Sequence, residues 1–95
     1  MARIRRIVLD VLKPHEPKML EMAEKISELN SVDSINATLY EVDESVENVK
    51  LTIQADNIDF GEVVSQIEEL GGSIHSVDEA VCGEQLIGEV DTPQG

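Results

Sequence analysis

The chain has 95 residues, enough for one domain built around one core. Its apolar fraction is 41%, yet Tyr40 and Phe60 are the aromatic residues, so Ile, Val, Leu, Met and Ala must fill the interior. The formal charge of −13 repels phosphate backbones and argues against nucleic acid, and a single cysteine, Cys82, excludes an internal disulfide and any CxxC motif.

The charge is unevenly placed. Residues 1–25 hold every basic side chain except Lys50, against Asp10, Glu16, Glu21 and Glu24, so the rest of the chain is strongly acidic. Arg3, Arg5 and Arg6 form the basic patch, with no aromatic residue interleaved for stacking. The acidic excess fits a solubilising surface, adaptation to high salt, or attraction of cations. In MARIRRIVLDVLK the short apolar run is broken by Asp10 and Lys13, which reads against a signal peptide. No stretch approaches the length of a membrane span. The expectation is a cytoplasmic protein.

In chain order, IRRIVLDVLK (4–13) is β-branched and alternating, which predicts a strand. Ile7, Leu9 and Val11 fall on one face; Ile4, Arg6, Val8, Asp10 and Leu12 fall on the other. PHEP (14–17) follows, and Pro17 suits a first helical position, where its missing N–H costs nothing. KMLEMAEKISELN then places Met19, Met22, Ala23, Ile26 and Leu29 at helical spacing. SINATLYEVD (34–43) alternates again, with Ile35, Ala37 and Leu39 inward and Tyr40 and Val42 outward. VENVKLTIQA (46–55) sets Val49, Leu51, Ile53 and Ala55 against Asn48, Lys50, Thr52 and Gln54, the pattern of a strand with one wet face.

Asp59 with Glu62 resembles a capping box, and Ile58 and Val63 are spaced to staple across it. Phe60, Val63, Val64, Ile67 and Leu70 make the stripe of a second helix, which Gly71-Gly72 ends. IHSVDEAV (74–81) is the last strand. Residues 1–88 form one domain, and 89–95 read as a flexible tail.

The order β-α-β-β-α-β, with right-handed crossovers, gives an α+β two-layer sandwich of the ferredoxin-like kind. Its four-stranded antiparallel sheet has the order 4-1-3-2, with both helices on one face. The sheet's other face then carries Ile4, Val8, Leu12, Tyr40 and Val42. An apolar open face predicts a homo-oligomer that buries it.

The same topology gathers His15, Glu16, Asp43, Glu44, Glu47 and His75 at one rim. Two histidines with carboxylates suit a borderline divalent metal, a small ligand or acid–base chemistry. His15, Glu16 and His75 are therefore the ligand-binding candidates, although no compact motif such as HExxH is present. The bland alternative is that His15 caps a helix or faces solvent, and that His75 bonds a neighbouring backbone group. Asp10, mid-strand among apolar neighbours, and Asp78 on the adjacent strand form a candidate oxygen site for calcium. Against it stands a cross-strand ion pair between Asp10 and Lys50. DESVEN lacks the glycine and spacing of an EF-hand loop, and Cys82 reads as a packing residue. No phosphate loop, nucleophile elbow or dinucleotide fingerprint is present, so no catalytic residue is assigned.

Through LKPHEP (12–17), LTIQADNIDF (51–60) and GGSIHSVDE (71–79) the chain resembles a small archaeal family of unknown function. The likeness runs from about Ile4 to the TPQ near the end. It implies the ferredoxin-like fold, ring-like homo-oligomers and a bound divalent ion such as calcium, and it supplies no catalytic residue. An archaeal origin also favours a high-salt or high-temperature reading of the charge. The sequence thus points first to a non-enzymatic, oligomeric ligand- or cation-binding domain of the regulatory or sensing type. The alternatives are a small enzyme with an inter-subunit site using His15 or His75, and a purely structural assembly subunit.

Overall fold

The structure is a computed structural model that describes residues 3–84. Its elements are β1 (Ile4–Lys13), α1 (Met19–Ser27), β2 (Ser34–Val42), β3 (Glu47–Gln54), α2 (Phe60–Glu69) and β4 (Ser73–Cys82). The strands form one antiparallel sheet in the order β2-β3-β1-β4, the expected ferredoxin-like arrangement. The tail assigned to 89–95 lies outside the described residues. Among the described residues no helix is long and apolar enough to cross a membrane.

The core follows from the two periodicities. Ile7, Leu9 and Val11 of β1 stand beside Ile53, Leu51 and Val49 of β3, each opposite its register partner. Met22 and Ile26 of α1 and Val63 and Ile67 of α2 close over them, all fully buried. Such a residue contributes about 1.5–3 kcal/mol by leaving water. No aromatic ring is among the buried core residues; Phe60 packs at the margin.

Both ends of α2 are closed by local chemistry. The Asp59 carboxylate accepts the Glu62 N–H at 3.2 Å. The reciprocal arm is relayed: the Asp59 N–H donates to Ser31 Oγ at 3.1 Å, and that hydroxyl donates to Glu62 Oε1 at 2.9 Å. Ser31, in the α1–β2 loop, thereby ties this loop to α2. At the far end Gly71 N–H donates to Glu68 O and Gly72 N–H to Ile67 O, with Gly71 at φ 90°, a Schellman ending.

Helix α1 begins later than the proline suggests. Lys18 is its N-cap, and Pro17, joined to Glu16 by a cis peptide bond, stays outside.

Bulges correct the expected faces. β1 carries an extra residue at Arg5 against β4, β2 one at Tyr40, and β4 two, at His75 and Asp78. Each resets the alternation by one residue. Ile4 consequently packs against the core, and Val42 lies opposite Glu47 on the helix side. The open face keeps Val8, Leu12 and Tyr40 and also carries Val81, the partner of Arg6, set among Asn36, Thr38, Asn48, Lys50, Thr52, Gln54 and Ser76. Ile4 and Val42 are the two apolar residues that it loses relative to simple alternation.

Candidate functional site

The rim at the end of β1 is built around a lysine. Lys13 continues the inward parity of Leu9 and Val11, so a strand-end cation is driven to the core side, with its side chain fully shielded from water. A buried ammonium requires compensation. It comes from Glu47, its register partner on β3, whose Oε1 lies 2.7 Å from Nζ, and from the Pro14 carbonyl at 2.7 Å.

Glu47 uses its second oxygen on His15. His15 Nδ1 lies 2.9 Å from Glu47 Oε2, and Nε2 lies 2.8 Å from the Glu44 carbonyl oxygen. Lys13, Glu47, His15 and the hairpin backbone form one continuous chain of contacts. Electrostatics follow the geometry. The bond to Glu47, seconded by the Glu44 carbonyl, holds the His15 imidazole above its ordinary 6.5. Lys13 first, and His15 second, hold the Glu47 carboxyl below its ordinary 4.5.

The rim expected from the sequence is therefore partly assembled. His15, Glu44 and Glu47 meet. Glu16 instead pairs with Lys18 at 3.3 Å, and His75 is an exposed bulge residue on β4. Lys13 was the member hidden from a search for histidines and acids. Its signal was parity: a lysine on the apolar side of a strand demands a carboxylate opposite.

On the open face Asp10 and Asp78 do lie near each other's partners, but cationic and hydroxyl groups intervene. Asp10 accepts the Tyr40 hydroxyl at 2.5 Å. Lys50 stands opposite Asp10 in register yet extends its ammonium to Asp78, at 3.7 Å, and Ser76 Oγ donates to the same carboxylate at 2.7 Å. The bond to Asp10 raises the Tyr40 phenol above its ordinary 10.0. Among the described residues no group of three or more His, Cys, Asp or Glu side chains is placed to hold a metal ion.

The basic patch is also internally answered. Arg3 contacts Asp56 at 3.3 Å, Arg6 contacts Glu79 at 3.2 Å, and Arg5 donates to the Gly83 and Glu84 carbonyls.

At the β4 margin, on the helix side, Ile4, Ile7, Phe60, Val77, Ala80 and Cys82 line an apolar cleft of about 190 Å³. At the opposite margin, on β2, Leu39 and Val42 are 40% and 60% exposed. The bulges add Ile4 and Val42 to these margins.

Two comparisons bear on the whole chain. The model of the DUF211 family, described as uncharacterised ArCR, matches residues 5–95. A protein of Methanocaldococcus jannaschii, named only as uncharacterised, is 56% identical over 94 residues, which span 99% of this chain and 97% of that protein.

Proposed function

From the premise that this chain belongs to the DUF211 family, we propose that it is a non-enzymatic domain that works as an assembly of identical copies. The observation that carries this reading is the pair of apolar margins on opposite edge strands. Val77, 51% exposed, marks the β4 margin, and Leu39 and Val42 mark the β2 margin. Two different margins on one chain fit a head-to-tail contact, in which the β4 side of one copy receives the β2 side of the next. Repeated with a closing rotation, that contact makes a ring.

The rim cluster favours this over catalysis at His15. Both imidazole nitrogens and both Glu47 oxygens already have partners. A general base needs a lone pair that faces a substrate proton, and the His15 nitrogens face a carboxylate and the hairpin backbone instead. His75, by contrast, is exposed on β4 beside the proposed contact, so a small ligand or cation using it would be held at the seam between copies.

Native mass spectrometry tests the proposal directly. A single closed stoichiometry is expected, and a stable monomer at micromolar concentration would overturn it. Thermal melts with calcium, magnesium or zinc test the ligand part, since binding to the native state alone raises the midpoint. No rise with any of them would remove cations from the reading.

A further inference from the structure

One imidazole joins the β1–α1 loop to the tip of the β2–β3 hairpin. His15 faces the Glu47 carboxylate through Nδ1, at 2.9 Å, and the Glu44 carbonyl through Nε2, at 2.8 Å. Both partners are acceptors only. A neutral imidazole carries one N–H, so it serves one oxygen and turns a lone pair on the other. Imidazolium donates to both. We infer that His15 is a proton-operated clip, which fastens the hairpin tip to the loop when charged and releases the Glu44 carbonyl when neutral.

The direction of release follows from the two acceptors. A hydrogen bond to an ionised carboxylate is stronger than one to a neutral carbonyl. Lys13 also pins Glu47 in place through its other oxygen. The neutral ring therefore keeps its proton on Nδ1, facing Glu47, and presents the bare Nε2 to the Glu44 oxygen. That contact is repulsive, and the tip moves away.

The surrounding charges agree. Lys13 on β1 disfavours the imidazolium, while Glu47 on β3, 2.9 Å from Nδ1, favours it more strongly. On the hairpin, Asp43 accepts the Glu44 N–H at 2.7 Å. On the loop leading to α1, Glu16 is matched by Lys18. The α2–β4 turn meets this loop through Gly71, which has no charge and lies against Pro14. The β2–β3 turn is closed separately by the Asp43 N–H bond to the Val46 carbonyl, at 2.8 Å, so the tip shifts as a unit. The clip does not depend on the assembly reading: it operates equally in a single copy.

Nitrogen-15 NMR of the full chain tests it by following the His15 ring and the Glu44 and Ser45 amides across neutral pH. The expected result is that these amides titrate with the same midpoint as the ring. In Glu47→Gln the midpoint moves to lower pH. In His15→Gln the amide shifts are flat through the neutral range. In His15→Arg, with a permanently charged fork of donors, they hold the clipped position at every pH. Amides that ignore pH in the wild type would overturn the clip, as would an unchanged titration in His15→Gln. His15 is 46% exposed, so these substitutions leave the core intact.

Discussion

Tyr40 and Asp10 sit on strands that are not neighbours, yet the phenol hydroxyl lies 2.5 Å from the carboxylate. Tyr40 reaches over β3 because it is the bulged residue of β2. It is also the chain's one tyrosine, and there is no tryptophan, so near-ultraviolet absorbance reads its ionisation alone. The phenol should titrate above its ordinary 10.0, and Asp10→Asn should bring the midpoint down. The folded phenol holds its proton longer than the unfolded one. Its contribution to stability is therefore complete below pH 10 and lost as pH rises through the raised value. An identical titration in Asp10→Asn would show that the bond is absent in solution.

Lys13 and Glu47 make an asymmetric pair for mutation. Glu47→Ala leaves an ammonium buried without its counter-charge, whereas Lys13→Met removes the charge and keeps an apolar chain of similar length. Chemical denaturation should show the larger loss for Glu47→Ala. The pH windows differ too. Glu47 is depressed, so its contribution is present above its ordinary 4.5 and fades as pH falls through the lower folded value. His15 is raised, so its contribution is present below 6.5 and fades as pH rises through the higher folded value. The gap in melting temperature between wild type and His15→Gln should thus close on the alkaline side.

Gly72 is constrained by contact rather than by dihedral angle. A Cβ there would stand 3.2 Å from the Leu12 carbonyl oxygen and 3.1 Å from Ile67 Cγ2, and the backbone oxygen cannot step aside. Gly72→Ala should cost about 1–3 kcal/mol as an overpacked site. Gly71→Ala, strained by its φ of 90°, should cost about 1–2 kcal/mol. Urea midpoints measure both.

Ser31 is expected to matter more than a loop serine usually does. It accepts from Asp59 N–H and donates to Glu62, so Ser31→Ala should lose about 1 kcal/mol. Asp59→Ala removes the direct cap, at about 0.5–2 kcal/mol. Since the two share Glu62 and the Asp59 backbone, the double variant should lose less than the sum. Strict additivity would mean that the serine relay is not formed.

A head-to-tail contact has a complementation signature. Val77→Asp damages the β4 margin and Val42→Asp the β2 margin, so each variant alone should run as a monomer. Mixed, the intact β2 margin of one meets the intact β4 margin of the other, and a dimer should form. A two-fold contact would instead leave one variant dimeric on its own.

Much of this was legible in the sequence, because period-2 and period-3.6 patterns report burial directly. Leu9, Val49, Ile26 and Val63 occupy the interior that those patterns assign. Asp59 caps α2 as its spacing to Glu62 indicates. What escaped is what periodicity cannot carry. A bulge adds one residue without changing composition, so simple alternation puts Ile4 and Val42 on the open face, whereas Ile4 packs on the core and Val42 lies opposite Glu47 on the helix side. His15 and Glu47 mark the rim in the sequence, whereas the buried Lys13 that fixes them carries no histidine or acid signal. Asp10 and Lys50 are register partners as the pattern requires, yet Lys50 bridges to Asp78, because side-chain reach along a twisted sheet is not a property of spacing.

The twin bulges of β4 also govern how copies of this chain can meet. A strand interrupted at His75 and again at Asp78 is a poor template for a fifth strand, which works against backbone pairing from one molecule into the next at this edge. Association at that edge through side chains would leave the outer amides of β4 open to solvent exchange even inside an oligomer. The same irregularity that spoils the sheet's symmetry works against fibril growth through the β4 edge.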